Sequence, residues 1–159
     1  MKRRELVRPL GGAATGWSLA ARGHTPNPFA GHVPIRGKTA REFILPIGLS
    51  LAPKFWPDFP YATIGRYYDV VLPMSYSTYR VSGATATYDY TMGNIAFLRS
   101  VLGPTVSLHV IGGNASQSGR LETRAFVQAC NDARVTGASM WHYTAYGDED
   151  WQEMRALDL

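Results

Sequence analysis

With 159 residues, 45% of them hydrophobic and 18% charged, the chain has the make-up of a folded domain rather than a disordered tract, and its single cysteine, Cys130, excludes an intramolecular disulfide and a thiolate metal cage. The formal charge of +4 is uneven, because residues 1–43 carry 8 basic and 2 acidic side chains and residues 44–159 carry 8 and 10. The folded part therefore lacks the basic surface that tracking a nucleic-acid backbone needs, and no apolar run reaches the roughly 18 residues of a membrane span.

Residues 1–23 place a basic block (Lys2, Arg3, Arg4) before a weakly apolar Gly/Ala stretch and the small pair Ala20-Ala21. That order is the layout of an export signal, the alternative being a plain basic tail. Arg3-Arg4-Glu5-Leu6-Val7 followed by Leu10-Gly11-Gly12-Ala13-Ala14 resembles the twin-arginine leaders of bacterial exported proteins, which implies a periplasmic or extracellular destination. Pro9, Gly16 and Gly23 depart from that pattern. Residues 24–43 hold three prolines and no sustained periodicity, and are expected to be a linker. His24 and His32 lie eight apart with no cysteine between them, a poor metal spacing.

From Ile44 onward, short β-branched runs alternate with segments of helical spacing. Strands are expected at Leu45–Ala52, Asp69–Tyr76, Val106–Ile111 and Ala138–Tyr143. Between them a short helix or turn is expected at Tyr61–Tyr67, and helices from about Asp89 to Leu102 with Ile95, Leu98, Val101 and Leu102 inward, and from about Gly119 to Val135. In the last of these Leu121, Phe126, Ala129, Cys130 and Ala133 face the core. A closing helix capped by Asp148 should bury Trp151, Met154 and Leu157, leaving Glu149, Asp150 and Glu153 in solvent.

Four βα units in a row require a parallel sheet. Both an open doubly wound sheet and an arc of a (βα)8 barrel accept that order. The strands decide for the barrel. Val106, Leu108 and Val110 alternate with Ser107, His109 and Ile111, while Ser139, Trp141 and Tyr143 alternate with Met140 and His142, so one face is polar and aromatic, as a barrel lumen is near its mouth. A complete barrel takes about 250 residues, and residues 44–159 supply less than half of that. The expected fold is α/β, a partial (half) TIM-type barrel of about four parallel βα units, occupying residues 44–159. Its outer strands invite a homodimer or a complementary barrel half.

The runs Tyr68-Asp69-Val70-Val71-Leu72-Pro73-Met74-Ser75-Tyr76, His109-Val110-Ile111-Gly112-Gly113 and Gly137-Ala138-Ser139-Met140-Trp141 resemble the C-terminal half of a glycoside-hydrolase-like (βα)8 barrel of chitinase type. The resemblance implies a sugar site lined by the Met-x-Tyr strand and the Trp-ending strand. The residues themselves support a carbohydrate ligand independently, because a pyranose needs a flat aromatic floor beside hydrogen-bonding groups. Trp141 is the candidate floor, and Tyr76, His109 and Asn114 the hydrogen-bonding candidates. All four lie at or beyond strand C-termini, where a barrel builds its site. Each also has a packing role open to it: core filling for Trp141 and Tyr76, an interior histidine for His109, a turn for Asn114.

Glycoside hydrolysis needs at least one carboxylic acid at the scissile bond. The resemblance puts that acid in the N-terminal half, which this chain lacks. Asp69 stands at the start of its strand, and Glu122 in a first helical turn. Only Asp89 and Asp148 fall on the correct side, as weak catalytic candidates. No nucleophile elbow, phosphate loop, zinc-protease motif or dinucleotide fingerprint is present, so no cofactor and no metal is expected. The sequence thus points to a sugar-interacting half barrel inactive alone, with a noncatalytic assembly module or a gene fragment as the alternative.

Overall fold

A hairpin opens the fold: β1 (Ala30–Ile35) pairs antiparallel with β2 (Lys38–Leu45), from Ala30 opposite Phe43 to Ile35 opposite Lys38. The computed structural model describes residues 30–35, 38–47, 56 and 58–159, with side-chain surroundings from residue 41 onward and not for Tyr143. The expected export signal, the start of the expected linker and most of the expected strand Leu45–Ala52 lie outside these residues. Within the supposed linker of residues 24–43, residues 30–35 and 38–43 are strand instead. Pro34 hid β1 from the sequence, but β1 lies at the end of the strand order, and an edge strand tolerates a residue without an N–H. The parallel-pairing strand thus begins at Lys38, ahead of Leu45.

Three further strands follow, each after a helix. Helix α1 (Tyr61–Tyr67) leads to β3 (Val70–Pro73), which pairs parallel with β2. Helix α2 (Ala84–Leu102) leads to β4 (His109–Asn114), and α3 (Arg120–Asp132) to β5 (Gly137–Trp141), which pairs parallel with β4. Helix α4 (Asp148–Met154) follows. The chain has an α/β fold.

The ladders divide into a β1-β2-β3 sheet and a β4-β5 pair. Between β3 and β4 only two parallel bridges occur, Val71 with Leu108 and Met74 with Ile111. Pro73 explains the gap. Val71 N–H donates to the Ser107 carbonyl and Ser75 N–H to that of Ile111, so alternate residues of β3 face β4. Pro73 is the residue between them, and it has no N–H to donate. Strands β2 to β5 are therefore parallel neighbours in chain order, with a thin seam at β3–β4.

The two faces of this arrangement differ in what they bury. One core cluster contains Leu45, Val71, Leu108, Val110 and Met140 from the strands together with Ile64, Ile95, Leu98 and Phe126 from the helices. A second contains Val70, Leu72 and Ile111, with Ile44, Met74 and Tyr76 against them, and no helical residue. Among the described residues the helices thus pack on one side, the result expected when successive crossovers of the same hand step the same way along a sheet.

Several helical details differ from the sequence expectation. Helix α2 starts at Ala84, after Gly83, because its first turns bury threonines: Thr87 and Thr91 are inside, and Thr91 Oγ1 donates to the Thr87 carbonyl at 2.8 Å. Val101 and Leu121, expected inward, are exposed. Asp148 does not cap α4. That role falls to Asp150, whose Oδ2 accepts the Gly147 N–H at 3.0 Å while Oδ1 accepts from Thr123 Oγ1 at 2.9 Å. Asp150 and Glu153, expected in solvent, are only 8% and 7% exposed. Glu153 takes Arg124 through two bonds, at 2.9 and 2.8 Å, and Arg120 at 2.7 Å, and the two arginines hold its carboxyl down to about 2. Trp151, Met154 and Leu157 are half-buried, with Trp151 stacked on Tyr146 at 4.4 Å.

Candidate functional site

Parallel pairing fixes which side chains share the strand-only face. Ile44 lies level with Leu72, His109 with Gly137, and Ile111 with Ser139. Partners in a parallel ladder point to the same side, so His109, Ile111 and Ser139 share a surface with Leu72 and Met74. Beyond the last paired residues the chain turns, and two aromatic rings meet there. Tyr76 follows β3 and Trp141 ends β5, with ring centroids 6.2 Å apart and planes at 44°. Tyr79, in a short 3-10 turn at Ser77–Tyr79, continues the row 6.1 Å from Tyr76. Trp141 is 37% exposed and Tyr79 57%. A register irregularity in β4 between Gly112 and Asn114 faces the end of β5, and the Trp141–His142 peptide bond is cis.

Below this row sits a polar pair. His109 Nε2 and Ser139 Oγ are 3.0 Å apart, and the imidazole lies across Gly137, where a Cβ would overlap Nδ1. Position 137 must therefore be glycine for His109 to lie flat on β5. Burial pushes the His109 pKa down to about 4, so at neutral pH the ring is uncharged and serves as a hydrogen-bonding group. Burial, with Tyr79 nearby, pushes the Tyr76 hydroxyl above its ordinary value and keeps it a donor.

The sequence-predicted residues divide accordingly. Tyr76 and Trp141 come together, and His109 lies on the same face, deeper. Asn114 does not present its amide oxygen freely: Oδ1 accepts from Ser116 N at 3.0 Å and Ser116 Oγ at 2.8 Å, shaping the turn Ala115–Gln117. Asp89 lies inside α2 and is exposed, not a cap, and Asp148 is the exposed first residue of α4. A carboxyl group that the sequence reading missed, Glu42, does lie on the strand-only side, level with Val70. Burial raises its pKa. It stands at the opposite end of the strands from the rings, since the climb from Val70 to Tyr76 is about 20 Å at roughly 3.3 Å per residue. Its place in a segment taken for linker concealed it.

The rings and the His109–Ser139 pair supply stacking surface and hydrogen-bonding groups, and among the described residues no carboxyl is bonded to them. Among the described residues no group of three or more His, Cys, Asp or Glu side chains is arranged to hold a metal ion, and no helix is long and apolar enough to cross a membrane. Comparisons with protein-family models, with curated proteins and with solved structures find no match.

Proposed function

We propose that the protein is an exported, carbohydrate-binding half of a (βα)8-type barrel, similar to glycoside hydrolases and without hydrolytic activity of its own. The observation that carries this reading is the meeting of Tyr76 and Trp141 at 6.2 Å at the ends of β3 and β5, above the His109–Ser139 pair. A sugar ring lays its apolar face on such a ring surface and its hydroxyls on the neighbouring polar groups. The barrel reading is supported by four parallel strands that neighbour one another in chain order with their helices on one side. An arc of a barrel has this arrangement, whereas a doubly wound sheet reverses its order and covers both faces.

Affinity electrophoresis through gels containing a soluble polysaccharide tests the binding. The wild-type protein should be retarded and Trp141→Ala should run as it does in a plain gel. A parallel assay with chromogenic glycosides should give no turnover. Turnover lost in Asp89→Ala or Asp148→Ala would overturn the noncatalytic part of the reading.

A second reading, one half of a two-chain barrel, draws on the edges. Strand β1 already lies along β2. At β5, Gly137 N–H points to the Leu108 carbonyl, so by alternation the N–H groups of Ala138 and Met140 point away from β4. Met140 N–H is taken by the Tyr146 hydroxyl at 2.6 Å. A partner strand would have to dock on β5 and displace that phenol. Light scattering coupled to size exclusion separates the readings: a monomer favours the first, a dimer or a complex the second.

A further inference from the structure

The geometry points to Glu122 as a positioning residue that clamps the loops after β3 and β4, holding Tyr79 against Tyr76. Glu122 is in the first turn of α3, where a carboxylate ordinarily caps its own helix. Its Oε2 does so, accepting the Gly119 N–H at 2.8 Å. Its Oε1 reaches a different helix, accepting the N–H of Gly83 at 2.7 Å, the residue that precedes α2. One carboxylate therefore ties the end of the loop after β3 to the end of the loop after β4.

A second tie joins the middle of the first loop to the beginning of the second. Asn114 N–H donates to Thr78 Oγ1 at 3.1 Å, and the approach is close enough that a Cβ on Gly113 would come within 2.7 Å of that oxygen. Tyr79 follows Thr78, and the chain reaches Gly83 four residues later. The segment bearing Tyr79 is thus pinned at both ends to the β4–α3 loop, although the Tyr79 ring itself is exposed. A cap that served only α3 would leave Oε1 to solvent, so the bond to Gly83 is the feature that marks a clamp.

The binding consequence rests on the carbohydrate reading, whereas the clamp itself does not, and the experiment separates them. Hydrogen exchange followed by mass spectrometry on the full chain measures the clamp. Glu122→Ala should speed exchange in the peptide covering residues 77–83 by roughly tenfold or more, the size of a lost charge-assisted hydrogen bond. Glu122→Gln, whose single amide oxygen satisfies only one N–H, should give a smaller rise. Thr78→Val, which leaves Glu122 in place, should loosen the same peptide and guards against a Glu122→Ala protein that fails to fold. Unchanged exchange over residues 77–83 in both Glu122→Ala and Thr78→Val overturns the clamp.

The second arm uses the polysaccharide gels. If Glu122 acts through Tyr79, then Glu122→Ala weakens retardation, and adding it to Tyr79→Ala weakens it no further. Additive losses overturn the positioning role. A wild-type protein that is not retarded at all removes the carbohydrate reading, and the exchange result then decides the clamp alone.

Discussion

The two faces of the parallel strands use the same backbone for different ends. On the helix side, Val71, Leu108 and Val110 disappear beneath Ile95, Leu98 and Phe126, and Asn94 Nδ2 donates to Ser75 Oγ at 2.7 Å. On the other side a few aliphatic residues are flanked by a histidine–serine pair and by rings that remain partly in water. The difference teaches that helix-to-strand packing supplies the larger core, while the other face buries the smaller cluster of Val70, Leu72 and Ile111 beside the His109–Ser139 pair and the partly exposed rings.

Removing a large side chain from each face should break this symmetry most visibly. Phe126→Ala empties the buried interface of α3 with the sheet and should cost about 3–5 kcal/mol in urea unfolding. Trp141→Ala, an even larger truncation, removes a ring that is 37% exposed but packs on Tyr76 and His142, and should cost less, about 1–2 kcal/mol. Equal costs would mean that Trp141 is core and not surface.

The strand-only face should also dominate the pH dependence near neutrality. His109 in the fold resists protonation until about 4, whereas in the unfolded chain it protonates near 6.5. Between those values the unfolded state holds more protons, so the His109 contribution falls as the pH drops from about 6.5 and levels off below about 4, where the Glu153 contribution is being lost in turn. The loss reaches about 3 kcal/mol if the site stays closed to water. His109→Gln, which keeps a partner for Ser139, should flatten this part of the profile in thermal unfolding from pH 7 to pH 4. A profile identical to the wild type would place the titration elsewhere.

How far the sequence revealed all this follows from the kind of signal each residue gives. Apolar periodicity marked β3, β4 and β5, along with Phe126, Leu98 and Cys130 as core, because burial against helices is what periodicity reports, and it left α1 as a helix or a turn. It failed for β1 and β2, where Pro34, Lys38, Arg41 and Glu42 break the apolar pattern although the backbone pairs regularly. It also failed for Asp150, Glu153 and Glu122. Their partners, Thr123, Arg124 and the Gly83 N–H, are distant along the chain or belong to the backbone, and spacing carries no trace of them. Within the candidate site, the nearness of Tyr76 and Trp141 was legible because both residues stand at the same ends of parallel strands. The local capture of Asn114 by Ser116 was not, since a turn and a binding group use the same side chain.

Smaller effects sharpen the contrast further. Tyr146→Phe leaves the Met140 N–H at the outer edge of β5 without its hydroxyl partner and should cost about 1–2 kcal/mol by chemical denaturation, with β5 amides exchanging faster. Leu121→Ser, on the outer side of α3, should change stability by less than about 0.5 kcal/mol, because that side chain is 63% exposed and contributes no core contact. A larger cost would reveal a hidden partner for that side of α3.

The most direct test compares wild type and Trp141→Ala in polysaccharide gels, alongside their melting curves. The substitution should abolish retardation while lowering the melting temperature by less than Phe126→Ala does. Retardation that survives the substitution, or is absent from the wild type, would contradict the carbohydrate reading.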